Sequence, residues 1–150
     1  MPTLAEPSLL ESSLLDDVAA KFPPGAVTVE SSTDQPTWRV KRDSLAAVAK
    51  ELRDNPATRF DLLLDLAGVD YSVLDPDRSD RLGRFDAVYH LYSVRRNDRL
   101  RLKVAVPEED PVLPSLTPVW KGINWFEREA FDMFGMKFTG HPNLSRILCH

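Results

Sequence analysis

Two runs decide the fold: Phe85-Asp86-Ala87-Val88-Tyr89-His90-Leu91-Tyr92-Ser93-Val94 and Arg99-Leu100-Arg101-Leu102-Lys103-Val104-Ala105-Val106, joined through Arg95-Arg96-Asn97-Asp98. The second run sets Leu100, Leu102, Val104 and Val106 against Arg99, Arg101, Lys103 and Ala105, the period-2 pattern of a strand with one buried face. The first run is apolar at nearly every position, which predicts a strand covered on both faces. Asn97-Asp98 supplies the turn of a hairpin between them. An antiparallel hairpin of this length is the centre of a sheet, and the rest of the chain is read as what pairs with it and what covers it.

Upstream, Val27 and Val29 alternate with Thr28 and Glu30, and Trp38 and Val40 with Arg39 and Lys41, so two more short strands with one buried face are expected. Ser8 and Glu11 have the spacing of a capping box. Behind them Leu10, Leu14, Leu15, Val18, Ala19 and Phe22 recur at helical spacing until Pro23-Pro24-Gly25 ends the helix. Asp43 is placed to cap a second helix whose apolar stripe is Leu45, Val48, Ala49 and Leu52, closed by Asn55-Pro56. Phe60–Leu66 reads as a short helix and Val69–Val73 as a strand, followed by an exposed loop over Leu74–Arg84. Pro107, Pro111, Pro114 and Pro118 make a rigid connector, with a short helix around Ser115–Lys121. A firmer helix covers Asn124–Phe134, with Asn124 as its cap.

The resulting order, α-β-β-α-β-β-β-α, predicts an α+β two-layer sandwich: a mixed, mostly antiparallel sheet with helices on one face. The other face would present Arg39, Lys41, Arg101 and Lys103, either as a solvated basic face or as a docking surface for an acidic partner.

Composition narrows the function classes. With 150 residues the chain suffices for one domain with a core. Its net charge of −4, with acids and bases interleaved, gives no footprint for nucleic acid. No apolar run approaches the roughly 20 residues of a membrane helix. Met1–Val18 carries Glu6, Glu11, Asp16 and Asp17 and no Lys or Arg, which fits neither a signal peptide nor a mitochondrial presequence, so a bacterial-type cytoplasm is expected. Cys149 is the only cysteine, too few for an iron–sulfur cluster held by this chain, and it forms no usual zinc pattern with His90, His141 and His150. The six glycines are too far apart for a nucleotide-binding loop.

The most informative segment is 123–148. Phe126, Ala130, Met133 and Phe134 line one helix face, and Arg128 and Asp132 are spaced to pair. Gly135 suits the left-handed position after a helix, with Met136 folding back on Phe131. Gly140 permits a tight turn, and Pro142 makes His141 extended. Glu127, Glu129 and Asp132 could act as acid–base groups only inside an enclosing pocket that separates their pKa values, of which the sequence shows no sign. A buried or interfacial ion-pair network of Glu127, Glu129 and Asp132 with Arg128 and Arg146 is the favoured reading, and a turn-fixing hydrogen bond is favoured for His141.

The string Glu127-Arg128-Glu129, Asp132-Met133-Phe134-Gly135, Phe138, Gly140-His141-Pro142, Leu144 and Arg146-Ile147-Leu148 closely resembles the signature of the C-subunit (30 kDa subunit) family of respiratory complex I. Phe60-Asp61-x-Leu63, Val69-Asp70-Tyr71, Tyr89–Ser93 and Pro114-Ser115-Leu116 extend the resemblance over roughly residues 7–148. It implies a structural, non-catalytic subunit of the peripheral arm of a proton-translocating NADH:quinone oxidoreductase, peripheral on the cytoplasmic side of the bacterial inner membrane. It also implies docking to the quinone-site D subunit, which is hydrogenase-large-subunit-like. FMN, iron–sulfur clusters and quinone sites would belong to other subunits of the complex, with no cofactor, metal or catalytic residue in this chain.

Relatives usually continue into an Asp/Trp-containing stretch and a basic tail. This sequence ends at Cys149-His150, and one domain over 1–150 without that tail is expected. The architectural residues are then Glu127, Arg128, Glu129, Asp132, Gly135, Gly140, His141, Pro142 and Arg146. Two alternatives stand beside this reading: a same-family subunit of a ferredoxin- or hydrogenase-linked membrane complex, and an unrelated stand-alone hydrolase using His141 and Glu129.

Overall fold

The computed structural model describes residues 14–75, 77–78 and 82–142. The expected capping box at Ser8 and Glu11, and Arg146, Cys149 and His150, lie outside these residues. Helix α1 is described over 14–19. Then come β1 (Val27–Glu30), β2 (Thr37–Val40), α2 (Leu45–Asp54), β3 (Leu62–Asp70), α3 (Tyr71–Leu74), β4 (Phe85–Ser93), β5 (Asp98–Val106), β6 (Val112–Pro114), α4 (Ile123–Phe134) and β7 (Lys137–Thr139).

The central hairpin forms as the alternation predicts: β4 and β5 pair antiparallel from Phe85↔Val106 to Ser93↔Asp98. Around it the sheet runs β1-β2-β5-β4-β3, with β2 and β5 the parallel pair and the other pairs antiparallel. A parallel neighbour needs a long crossover, and here α2, β3 and β4 supply it. One sheet face carries Trp38, Tyr89, Leu91, Leu100, Leu102 and Val104, which form a single buried core with Leu15 and Val18 of α1, Leu45, Val48, Ala49 and Leu52 of α2, and Ile123 and Ala130 of α4. The α+β class and the helix-covered face hold.

Several local expectations are corrected. Residues 62–70 form a strand, not a helix followed by a strand, with an irregularity between Leu63 and Asp65. A run such as Leu62-Leu63-Leu64-Asp65-Leu66 fits helical and extended spacing equally, and pairing with β4 decides it. The strand ends where the Asp70 carboxylate accepts the Ser72 N–H (2.9 Å) and starts α3. Asp43 lies within a 3-10 turn, Arg42–Ser44, and Ser44 occupies the cap position of α2. Helix α4 begins at Ile123 after Gly122, so Asn124 is inside it. Ser115–Lys121 forms turns, and the connector instead holds β6, which pairs parallel with β7 in a small second sheet. Val29 is 57% exposed, so β1 buries little.

The basic face differs most from expectation. Arg39 makes two bonds to the Asp86 carboxylate (3.0 and 3.1 Å) and one to Glu30 (2.7 Å), and Lys103 approaches Glu30 at 3.8 Å. Arg101 donates from its two terminal nitrogens to the Asp34 carboxylate (2.5 and 3.4 Å) and from Nε to His90 Nε2 (3.2 Å), whose Nδ1 lies 2.6 Å from Asp65. Arg78 also reaches Asp86, and the Tyr71 hydroxyl lies 3.4 Å from it. The segment after β3 thus packs over the sheet and buries Asp86 completely. On this face the chain's own acids thus engage Arg39, Arg101 and Lys103, while Lys41 is exposed.

Candidate functional site

Helix α4 is amphipathic with one anomaly: its buried residues are Ile123, Ala130 and a glutamate, Glu127. A buried carboxylate is costly unless its oxygens are satisfied. Both are. Ser115 Oγ–H donates to Oε1 (2.7 Å) and the Leu116 N–H donates to Oε2 (2.8 Å). Ser115 Oγ in turn accepts the Thr117 N–H (3.2 Å) and lies 3.0 Å from Thr117 Oγ1. One carboxyl group therefore ties α4 to the proline-rich connector at the end of β6.

Burial raises the Glu127 pKa from 4.5 to about 7, outweighing the bonds from Leu116 and Ser115 that pull it down. The Tyr89 hydroxyl, in the core on β4, is held well above its ordinary range by burial and then by the charge of Glu127. From the far side His141 sets Nε2 3.2 Å from the Asn124 carbonyl and 3.9 Å from Glu127 Oε1. Two buried polar atoms of this cluster, Tyr89 OH and Asn124 Oδ1, make no hydrogen bond within the described structure.

The exit from α4 follows from two positive-φ glycines. Gly135 has φ +73°, and its N–H closes the helix on Phe131 O (2.9 Å). Met136 is then fully buried, and β7 returns to β6. Gly140 (φ +82°) turns the chain so that the His141 N–H meets Phe138 O (3.2 Å). At the same corner Gly68 of β3 faces Phe134, where an added Cβ would sit 2.4 Å from the ring. Gly135→Val is expected to cost about 1–3 kcal/mol, because a β-branched residue is strained at that φ. Equilibrium urea unfolding of the full chain checks this, and an unchanged midpoint would contradict the helix ending.

Among the described residues Arg128 forms no ion pair with Glu127, Glu129 or Asp132, and Arg146, the other base expected in the network, lies outside them. Glu127 is inside and bound to a hydroxyl and a main-chain N–H. Arg128 lies over the Trp125 ring at 5.4 Å. Glu129 and Asp132 are exposed on the outer side, together with Trp125 (60%) and Met133 (72%). Helical spacing explains the separation: Glu127 shares a face with Ile123 and Ala130, whereas Glu129 shares one with Trp125 and Met133. Gly135, Gly140 and His141 come together at the exit, Pro142 is exposed there, and the carboxylate that His141 faces is Glu127 rather than Glu129.

Ser115, Leu116, Thr117, Tyr89 and Asn124 complete the cluster, and sequence reasoning does not reach them as site residues. The sequence signals for them are the Tyr89–Ser93 and Pro114-Ser115-Leu116 strings and the helix-start position of Asn124. Chemically the cluster joins segments, and among the described residues Glu127 is fully buried. Among the described residues no three His, Cys, Asp or Glu side chains converge in a way that could hold a metal ion, and no helix is long and apolar enough to cross a membrane.

Residues 38–150 match the family described as respiratory-chain NADH dehydrogenase, 30 Kd subunit. The chain is 53% identical over 118 residues to the NADH-quinone oxidoreductase C subunit of Cupriavidus pinatubonensis, covering 78% of this chain and 59% of that protein. It is 53% identical over 113 residues to the C subunit of the same oxidoreductase in Leptothrix cholodnii, covering 75% and 56%. The chain therefore spans less than two thirds of the length of these relatives. Among solved structures it resembles the trypsin-resistant fragment (1-134) of Nqo5, with TM-score 0.71 and 33% identity over 87% of this chain and 96% of that one. A chain of the membrane-bound sulfane sulfur reductase, an archaeal respiratory membrane complex, has TM-score 0.69 at 18% identity, covering 89% of this chain and 73% of that one, and shares the fold alone.

Proposed function

Since the chain belongs to the respiratory-chain NADH dehydrogenase 30 kDa subunit family, we propose that it is a structural subunit of the peripheral arm of a proton-translocating NADH:quinone oxidoreductase, docking to the D subunit that frames the quinone site. In this reading it holds no flavin, cluster or quinone and performs no chemistry alone. It sits at the cytoplasmic side of the membrane through its partners.

The observation that carries the proposal is how α4 divides its residues. The inner face commits Glu127 to Ser115 and Leu116 and so fixes the angle between helix, connector and exit. The outer face leaves Trp125 and Met133 in solvent, with Glu129 and Asp132 beside them. Aromatic and Met side chains surrounded by polar groups are the composition of a protein–protein contact. A rigid helix with its carboxylate spent internally and its aromatic residues outside is suited to presenting a surface.

Affinity purification of the tagged full chain from detergent-solubilised membranes tests this. Co-elution with a hydrogenase-large-subunit-like protein and with flavin and iron–sulfur absorbance is expected. Elution alone, with turnover of a substrate by the isolated chain, would overturn the reading.

A further inference from the structure

We propose that the outer edge of β3 receives an extended segment of a neighbouring subunit, which adds to the five-stranded sheet as a further strand. The inference rests on the docking reading for the existence of a partner, and it adds how that partner is gripped.

Strand β3 is the last in its sheet: it pairs with β4, and among the described residues nothing pairs with its other side. An edge strand turns alternate main-chain N–H and C=O groups outward, and proteins normally shorten, charge or interrupt such edges. The opposite edge is managed that way, since β1 is four residues long and follows Pro23-Pro24 closely. By contrast β3 runs for nine residues, Leu62–Asp70, without Lys, Arg or Pro. Its two acids do not guard it: Asp65 is bound to His90, and Asp70 is held by Arg84 at 3.0 and 2.9 Å, which keeps the Asp70 carboxyl well below the usual range. The bulge between Leu63 and Asp65 is the one interruption in its pairing.

The surroundings are apolar as well. Of the nine exposed large hydrophobic residues among those described, six lie on β3 or on elements beside it. Leu62 and Leu64 are on the strand, Val73 and Leu74 directly follow it, and Trp125 and Met133 are on α4, which packs along β3. Unpaired main-chain donors and acceptors are met by another extended main chain, and acids already engaged by His90 and Arg84, with apolar flanks, call for uncharged, apolar side chains on it. The occupant is therefore an extended, apolar backbone segment of a partner protein.

Hydrogen–deuterium exchange of the full chain, alone and within the purified assembly, provides the test. The amides of residues 62–70 that point away from β4 should slow by at least about tenfold on assembly, while those of 27–30 should not change. Equal exchange of those outward amides in both states would overturn the proposal. So would their protection already in the isolated chain, whether it is lost on dilution (a second copy on the edge) or not (a segment of the same chain). As a second arm, Leu64→Lys and Ala67→Lys place charges at exposed edge positions. Each should lower recovery of the assembly by about tenfold or more with the urea midpoint of the isolated chain unmoved, and undiminished recovery would count against strand addition. Co-purification of partners with unaltered β3 exchange would sink strand addition and leave the docking reading standing; co-purification of nothing would sink both.

Discussion

Asp86→Ala is expected to destabilise the folded chain by about 3–5 kcal/mol, the cost of removing one partner from a buried ion-pair cluster. Asp86 is 0% exposed and is the common acceptor for Arg39 and Arg78, with the Tyr71 hydroxyl beside it. Removing it leaves two guanidinium groups facing each other with little water to replace the carboxylate, since the Arg78 side chain is only 8% exposed. The loss falls on one junction: Asp86 joins β2, β4 and the segment after β3, so that segment should loosen first. Equilibrium urea unfolding at neutral pH measures the effect. A loss below about 1 kcal/mol, the range of a surface pair, would show that the cluster contributes little. Asp86→Leu combined with apolar replacements of Arg39 and Arg78 should recover much of the loss, because a packed apolar substitute is often as stable as a buried ionic group.

The second large effect concerns pH. The folded pKa of Glu127, about 7, lies above its ordinary 4.5, so the folded state holds a proton that the unfolded chain releases between those values. This contribution is fully present below about pH 4.5 and is lost as pH rises through about 7. At about 1.4 kcal/mol for each pH unit, the difference amounts to roughly 3 kcal/mol. Glu127→Gln keeps an acceptor for the Leu116 N–H and offers an amide donor to Ser115 Oγ while carrying no charge. The variant should match the parent near pH 4 and exceed it by up to roughly 3 kcal/mol near pH 8. Urea unfolding at a series of pH values reads this directly, and parallel curves for the two proteins would contradict the burial argument. A chain that gives up stability at working pH to keep an ionisable group inside fits a site shaped for assembly rather than for isolated stability, a common trade at functional positions.

What the sequence disclosed depended on how local the deciding interaction is. The β4–β5 hairpin was legible because strict alternation and a short turn act within about twenty residues. So were the body of α4 and its ending, since Gly135 acts on its own backbone. Leu62–Leu66 was misread because three leucines in a row satisfy both periods, and the choice falls to β4 and to the bulge. Strand β6 was hidden directly after Pro111 and includes Pro114, and its three residues carry no period. The role of Glu127 was the deepest miss. Its charge points to the arginines Arg128 and Arg146 as partners, whereas its actual partners Ser115 and Leu116 lie a full connector upstream. Arg39 and Arg101 show the same limit: the pattern put them on one face, but their acids come from other strands and turns.

The account turns on the outer face of α4 meeting another polypeptide. A photoreactive amino acid placed at position 125 of the full chain, activated in intact membranes, tests this contact most directly. The expected product is a covalent adduct with a hydrogenase-large-subunit-like partner, absent when the same group is placed at position 47 on the exposed side of α2. An assembly that isolates intact yet gives no adduct from position 125, or gives one only from position 47, would contradict the account.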